Sequence, residues 1–140
     1  MLEAAANTAP PAEARSLHVD LGEMLLAQGR FDEARDPVEL AREGARRAGD
    51  ERAEQRAEAV LGLLHHGRGN LALAEARYTR ALDLAHRLGD ARTQAHALRD
   101  LGNLALQRGE HDRALAFYQD ALELAHGGDH RLEGVVRGNL

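Results

Sequence analysis

A period of 40 residues is the feature that most constrains the fold of this 140-residue chain. When the chain is aligned with itself at that offset, the same residues recur in fixed columns. The dipeptide Leu-Gly recurs at Leu21-Gly22, Leu61-Gly62 and Leu101-Gly102, glycine at Gly29, Gly69 and Gly109, and alanine at Ala34, Ala74, Ala114 and at Ala41, Ala81, Ala121. A period of roughly 20–50 residues is typical of stacked repeat proteins, in which each unit buries its apolar face against the next.

Each period has the pattern of two amphipathic helices joined by a tight turn. In the copy spanning 90–126, Leu98, Leu101 and Leu104 recur at the helical spacing and predict a first helix. Gly109 falls in the break, where glycine accepts the left-handed conformation that follows many helices. The second helix is predicted by an apolar stripe that contains Ala114, Phe117, Tyr118, Ala121, Leu122 and Ala125.

The repeat divides the chain into five parts. We expect a tail or linker over 1–11, repeats over 12–49, 50–89 and 90–128, and the first helix of a partial fourth repeat over 129–140. Because the sequence stops inside this last predicted helix, we expect it to be a piece of a longer solenoid. The alternative is a short protein whose open end pairs with another copy through an apolar stripe of Leu132, Val135, Val136 and Leu140.

Two local features of these helices carry specific expectations. Pro37 lies inside the second predicted helix, where its missing N–H should kink or delay the helix. Asn70 and Asp90 precede helices and are expected to cap them.

The glycines of the Leu-Gly columns lie inside predicted helices, where glycine costs about 1 kcal/mol relative to alanine. Close approach of neighbouring helices, with the alanine columns as the facing surface, would offset that cost.

The columns also resemble the tetratricopeptide repeat. The motif is Leu-Gly, an alanine twelve residues after the glycine, an aromatic residue four further on, and another alanine after three more, as in Leu101-Gly102, Ala114, Tyr118 and Ala121. The first copy has Val38 in place of the aromatic residue. The unit is six residues longer than the family's usual 34 and is similar to the extended repeats of kinesin light chains and bacterial signalling ATPases. The resemblance implies an all-α right-handed superhelix of about seven helices.

By the same resemblance, the first helix of each hairpin lines a concave groove that binds a protein or peptide partner. The side chains that this places in the groove are Asp20, Glu23, Arg56, His66, His96, Arg99, Asp100 and Asn103. Arg99 and Asn103 match the basic residue and asparagine with which some members of the family hold a peptide carboxylate. The equivalent positions of the other repeats hold Val19 with Glu23, and Ala59 with Leu63. A complete carboxylate clamp is therefore not expected.

Composition restricts the setting of the protein. There is no cysteine and no apolar run near the roughly 20 residues that span a membrane. Residues 1–11 lack the basic and apolar regions of a signal peptide. The net charge is −5 with interspersed charges, which favours neither nucleic acid nor an anionic membrane as partner. We expect a cytoplasmic location, and we interpret the use of Arg without Lys as bacterial codon bias.

No pattern of reactive residues indicates an enzyme, a cofactor or a metal site. The eight histidines offer no i, i+4 pair within one predicted helix, so capping and surface roles are favoured over metal binding. Carboxylates are expected on exposed faces, in solvated pairs at helical spacing such as Glu75 with Arg77 and Arg80. The sequence predicts a protein- or peptide-binding module of a larger bacterial signalling or regulatory protein. The alternative is an effector-sensing or self-association module of a signalling ATPase or transcription regulator.

Overall fold

A computed structural model describes residues 11–126, which form six α-helices and contain no strand. The helices are α1 (Pro11–Ala27), α2 (Phe31–Ala48), α3 (Glu51–Gly67), α4 (Leu71–Leu88), α5 (Ala91–Gln107) and α6 (His111–Ala125). Each helix packs on its neighbours in sequence, and α1 contacts α3 and α3 contacts α5 across the array. The prediction of an all-α solenoid of helical hairpins is therefore confirmed. The predicted tail and the seventh helix lie outside the described residues, and the division into repeats stays a prediction.

A left-handed glycine follows each of the first five helices within two residues. Gly29, Gly69 and Gly109 stand in the turns inside hairpins, with φ of 74°, 81° and 78°. Gly49 and Gly89 stand in the turns between hairpins, with φ of 69° and 67°. An L-residue with a side chain is strained in this region, so the glycine columns are explained by turn geometry.

The helix starts are only partly capped as the sequence predicts. The carboxylates of Asp50 and Asp90 each accept a hydrogen bond of 3.1 Å, from the backbone N–H groups of Ala53 and Thr93. The side chain of Asn70 makes no capping hydrogen bond, so that prediction is wrong. The backbone carbonyl of Asn70 instead accepts a hydrogen bond from the N–H of Ala74.

The Pro37 prediction is also wrong in one respect. Helix α2 starts at Phe31 and runs through Pro37 to Ala48 without delay. Its alanine and valine columns are almost completely buried at Ala34, Val38, Ala41 and Ala45. Burial of that stripe against α1 and α3 outweighs the one backbone hydrogen bond that a proline removes.

The recurrence of the helical glycines is explained by the side chains that face them on the next helix. A Cβ placed on Gly62 would lie 2.4 Å from Cδ1 of Tyr78, and one on Gly22 would lie 2.1 Å from Cγ2 of Val38. On Gly102 it would lie 2.7 Å from Cε1 of Tyr118. The glycines therefore make room for the side chains in the column of Val38, Tyr78 and Tyr118, and at Gly22 the carbonyl oxygen of Ala34, from an alanine column, also lies 3.7 Å from the added Cβ.

Candidate binding groove

A groove of about 350 Å³ runs across the first helices of the three hairpins. Helix α1 contributes Glu23 to its wall, and α3 forms its floor with the small or apolar side chains of Ala59, Val60 and Leu63. Helix α5 contributes the opposite wall. The lining side chains from all three helices are Glu23, Gln55, Arg56, Ala59, Val60, Leu63, Arg92, Thr93, His96, Arg99 and Asp100.

The residues predicted from the sequence are only partly brought together here. Five of the eight line this groove, namely Glu23, Arg56, His96, Arg99 and Asp100. Asp20 lies at its edge, where its carboxylate contacts Arg56. His66 and Asn103 are not among the lining residues. Their role as partner-binding residues stays a prediction.

An ion-pair cluster joins the α1 wall to the floor. The Nη2 of Arg56 donates to Oδ1 of Asp20 at 2.9 Å and to Oε1 of Glu23 at 2.7 Å. Asp20 and Glu23 lie three residues apart on α1, so both carboxylates reach the same guanidinium. The cluster links the first hairpin to the second along the concave face.

The α5 wall is a basic stripe. Arg92, His96 and Arg99 follow at spacings of four and three residues, which puts them on one helical face. The guanidinium of Arg99 lies 3.8 Å from Oδ1 of Asp100, and within residues 11–126 Arg92 has no carboxylate at ion-pair distance. Arg92 was not singled out from the sequence, although its spacing from His96 and Arg99 could have identified it.

Asp100 is the acidic residue of this wall, and it is only 8% exposed. Burial raises the pKa of its carboxyl, and the positive charge of Arg99 acts in the opposite direction. The groove therefore holds a buried acid beside an exposed cation.

His66 and Asn103 are each hydrogen-bonded to a tyrosine of their own hairpin. Nδ1 of His66 lies 3.1 Å from the hydroxyl of Tyr78, and its Nε2 lies 2.5 Å from Oε1 of Gln107. Because an amide oxygen only accepts, His66 donates from Nε2 and its Nδ1 accepts from Tyr78. The hydroxyl of Tyr118 donates to Oδ1 of Asn103 at 2.5 Å.

Buried carboxylates behind the groove were missed by the sequence reasoning. Glu58 is 2% exposed, and its Oε1 accepts a hydrogen bond of 2.9 Å from Nη1 of Arg77. Glu54 is also buried and accepts two hydrogen bonds from Arg80.

The expectation that carboxylates pair on exposed faces of single helices is therefore wrong for these two residues. It is also wrong for Glu75, which pairs with Arg108 at 2.6 Å and with Arg113 at 2.8 Å, both from the third hairpin. A carboxylate has to be paired when a helix face is buried, and helical spacing does not reveal a partner on another helix.

In the part of the chain that the structure describes, no group of three or more His, Cys, Asp or Glu side chains could hold a metal ion. Over the same residues, no helix has the length and apolar character needed to cross a membrane.

Six consecutive helices packed as antiparallel hairpins, with a groove along their first helices, define a helical-repeat solenoid. The pattern of the tetratricopeptide repeat matches residues 13–85 and 55–126. The chain therefore belongs to the tetratricopeptide repeat family. The 40-residue length of its unit is a feature of this sequence, and its assignment to the extended variety stays a prediction.

A solved structure shows the same fold. The crystal structure of the TPR domain of Arabidopsis FLU superimposes with a TM-score of 0.74 at 18% sequence identity. The match covers 81% of this chain and 95% of that one. No curated protein matches the chain.

Proposed function

We propose that this protein binds a segment of a partner protein along the concave groove of α1, α3 and α5. The tetratricopeptide repeat fold generally serves protein–protein interaction. The observation that supports the groove as the site is its composition, since an apolar floor lies between two charged walls. Interfaces commonly combine a hydrophobic centre with a polar rim.

The floor supplies the best test of the groove. Leu63 lies on the floor of the groove with 44% of its surface exposed, and no side chain among residues 11–126 covers that part. Leu73 on α4 is similarly exposed at 48% but lies outside the groove. These two leucines therefore form a matched pair of positions.

The experiment is selection of peptides from a displayed library on the whole chain, followed by binding measurements with Leu63→Asp and Leu73→Asp. We expect Leu63→Asp to weaken selected peptides by at least about tenfold, or 1.4 kcal/mol. Leu73→Asp should leave their affinity unchanged. Equal affinities for both variants, with both still helical by circular dichroism, would place the binding site elsewhere.

We assign the protein to a bacterial cytoplasm, as the interaction module of a larger signalling or regulatory protein. The absence of cysteine and the use of Arg for every basic residue other than histidine support this setting. Identification of the neighbouring domains in the gene that encodes the chain is the direct check. A gene that specifies an exported protein would contradict the assignment.

A second groove, between α5 and α6, favours self-association as a second function. It has a volume of about 300 Å³ and is lined by Ala95, His96 and Arg99 from α5 and by Tyr118, Ala121, Leu122 and Ala125 from α6. The equivalent alanines of α4, Ala81 and Ala85, are completely buried. A second copy would cover the α6 face in the same way.

Light scattering over a concentration series tests self-association. The mass of the chain should rise with concentration, and Leu122→Asp should hold it at the monomer value. A constant monomer mass for the unmodified chain would overturn this second proposal.

A further inference from the structure

The two walls of the groove carry opposite net charge. On the α1 wall, Asp20 and Glu23 share a single cation, because both carboxylates contact the same Nη2 of Arg56. One negative charge therefore remains uncompensated at that wall. Both carboxylates are more than half exposed, so a partner can reach them.

The α5 wall has the reverse balance. Its two arginines, Arg92 and Arg99, share the wall with one carboxylate, that of Asp100, which is buried and lies 3.8 Å from the guanidinium of Arg99. The side chain of Arg99 is 59% exposed. His96 lies between the two arginines on the same face and adds positive charge when protonated.

A free C-terminal carboxylate is not the obvious ligand of this wall. Asn103 is not among the residues that line the groove, and its column holds Glu23 on α1 and Leu63 on α3, neither of which donates a hydrogen bond to a carboxylate. Recognition therefore depends on the charged side chains of a partner and on the apolar floor between the walls.

We propose that the groove selects a segment of mixed charge, with acidic side chains over Arg92 and Arg99 and basic side chains over Asp20 and Glu23. Apolar side chains of the same segment lie over the α3 floor. The inference rests on the proposed function, in which the groove binds a protein segment, and it specifies the chemistry and orientation of that segment.

Charge complementarity at both walls explains why one orientation is selected. Reversing the segment would place like charges together at both walls, and unfavourable juxtapositions of this kind discriminate strongly between binding modes. A uniformly acidic segment is attracted to the α5 wall and repelled by the α1 wall. A uniformly basic segment has the opposite pattern.

The test uses labelled synthetic peptides of about 12 residues, which span roughly 40 Å when extended. All have the same central Leu-Ala-Leu-Ala block. One has Glu before the block and Lys after it, and a second has the reverse order. The remaining three have flanks of Glu only, Lys only or Ser only. Affinity for the whole chain is measured by fluorescence anisotropy at low salt and at physiological salt.

We expect the tighter of the two mixed peptides to bind at least about tenfold more tightly than the Glu-only, Lys-only and Ser-only peptides, with a difference that shrinks as salt rises. The double variant Arg92→Glu with Arg99→Glu should abolish that advantage. Arg35→Glu with Arg47→Glu, an exposed double change of equal charge on α2, should preserve it. Asp20→Asn with Glu23→Gln should weaken the mixed peptide and strengthen the Glu-only peptide.

Each alternative result is decisive. Binding of the Glu-only peptide as tightly as the mixed peptide would overturn the inference, and so would the absence of measurable binding by every peptide. Equal binding of all five peptides, weakened by Leu63→Asp, would overturn it while leaving the proposed function intact. Loss of library binders with Leu63→Asp tests the proposed function separately.

Discussion

The guanidinium of Arg77 on α4 donates a 2.9 Å hydrogen bond to the carboxylate of Glu58 on α3, and that carboxylate is almost completely buried. A second arginine, Arg42 from the first hairpin, lies 3.9 Å from its other oxygen. One buried acid thus joins helices of two hairpins. Its column in the third repeat holds Leu98, which is also buried.

Removing this acid should strongly destabilise the array. In Glu58→Ala, both arginines lose their common partner and a cavity replaces the side chain. We expect the free energy of unfolding to fall by about 2–4 kcal/mol, somewhat below the usual figure for buried pairs since Arg77 is partly exposed. Urea unfolding followed by circular dichroism measures the change. A loss below about 1 kcal/mol would contradict the structural role of the pair.

An apolar replacement of the whole pair should be tolerated. The third repeat has Leu98 and Phe117 in the columns of Glu58 and Arg77. The double variant Glu58→Leu with Arg77→Phe copies that arrangement, and buried pairs are often replaced by apolar residues without loss of stability. We expect it to be at least about 2 kcal/mol more stable than Glu58→Ala in the same urea measurement. Equal stabilities would show that the two repeats pack differently here.

A methyl group on Gly62 should destabilise the second hairpin. Its Cβ would lie 2.4 Å from the ring of Tyr78, which is only 1% exposed and packed against its neighbours. The clash should cost about 1–3 kcal/mol and outweigh the gain of about 1 kcal/mol in helix propensity. Thermal and urea unfolding of Gly62→Ala measure the net loss.

Gly44→Ala is the matched control, because its Cβ would meet only Arg15 at an ordinary 3.4 Å. It should raise the stability by up to about 1 kcal/mol. Gly62→Ala as stable as Gly44→Ala would refute the contact with the tyrosine column.

The sequence predicts the helices of this fold well, because the information for them is local. Stripes at helical spacing and the turn glycines predict two helices in each repeat, and the six helices of the structure agree with that pattern. The sequence does not predict which charged side chains form ion pairs, because Glu58, Glu54 and Glu75 pair with arginines on other helices. A residue's distance along the chain carries no signal for such contacts.

The sequence predicts some of the residues that line the groove and not others. The choice of the first helices brings Glu23, Arg56 and Arg99 to one surface, and their contact with a partner stays a prediction. The same argument gives no reason to separate His66 from that surface, because its bond to Tyr78 depends on the packing of α3 against α4.

Lowering the pH should destabilise the protein, and part of that loss of stability should come from His65. Burial lowers the pKa of His65, and the nearby charge of Arg77 lowers it further. Its Nδ1 is buried without a hydrogen-bond partner among the described residues. The unfolded chain therefore takes up this proton more readily than the folded one, so the free energy of unfolding decreases as pH falls through about 6.5.

The variant His65→Leu isolates this effect. Leu25 occupies the same column of the first repeat and is buried there. Between pH 7 and about pH 5, carboxylates with lowered pKa values such as those of Asp50 and Glu75 remain charged. In that range the variant should lose less stability than the unmodified chain. Parallel pH profiles from urea unfolding would exclude His65 as the source.

The opposed charges of the α1 and α5 walls have a mechanical consequence. These helices belong to the first and third hairpins, so the separation of the walls is set by the small rotations at the two interfaces between hairpins. A partner that contacts both walls at once would hold the first and third hairpins at a fixed separation and restrain the bending of the solenoid. Conversely, any change that opens either interface alters the span between Glu23 and Arg99, so the curvature of the solenoid becomes a determinant of affinity at a distance.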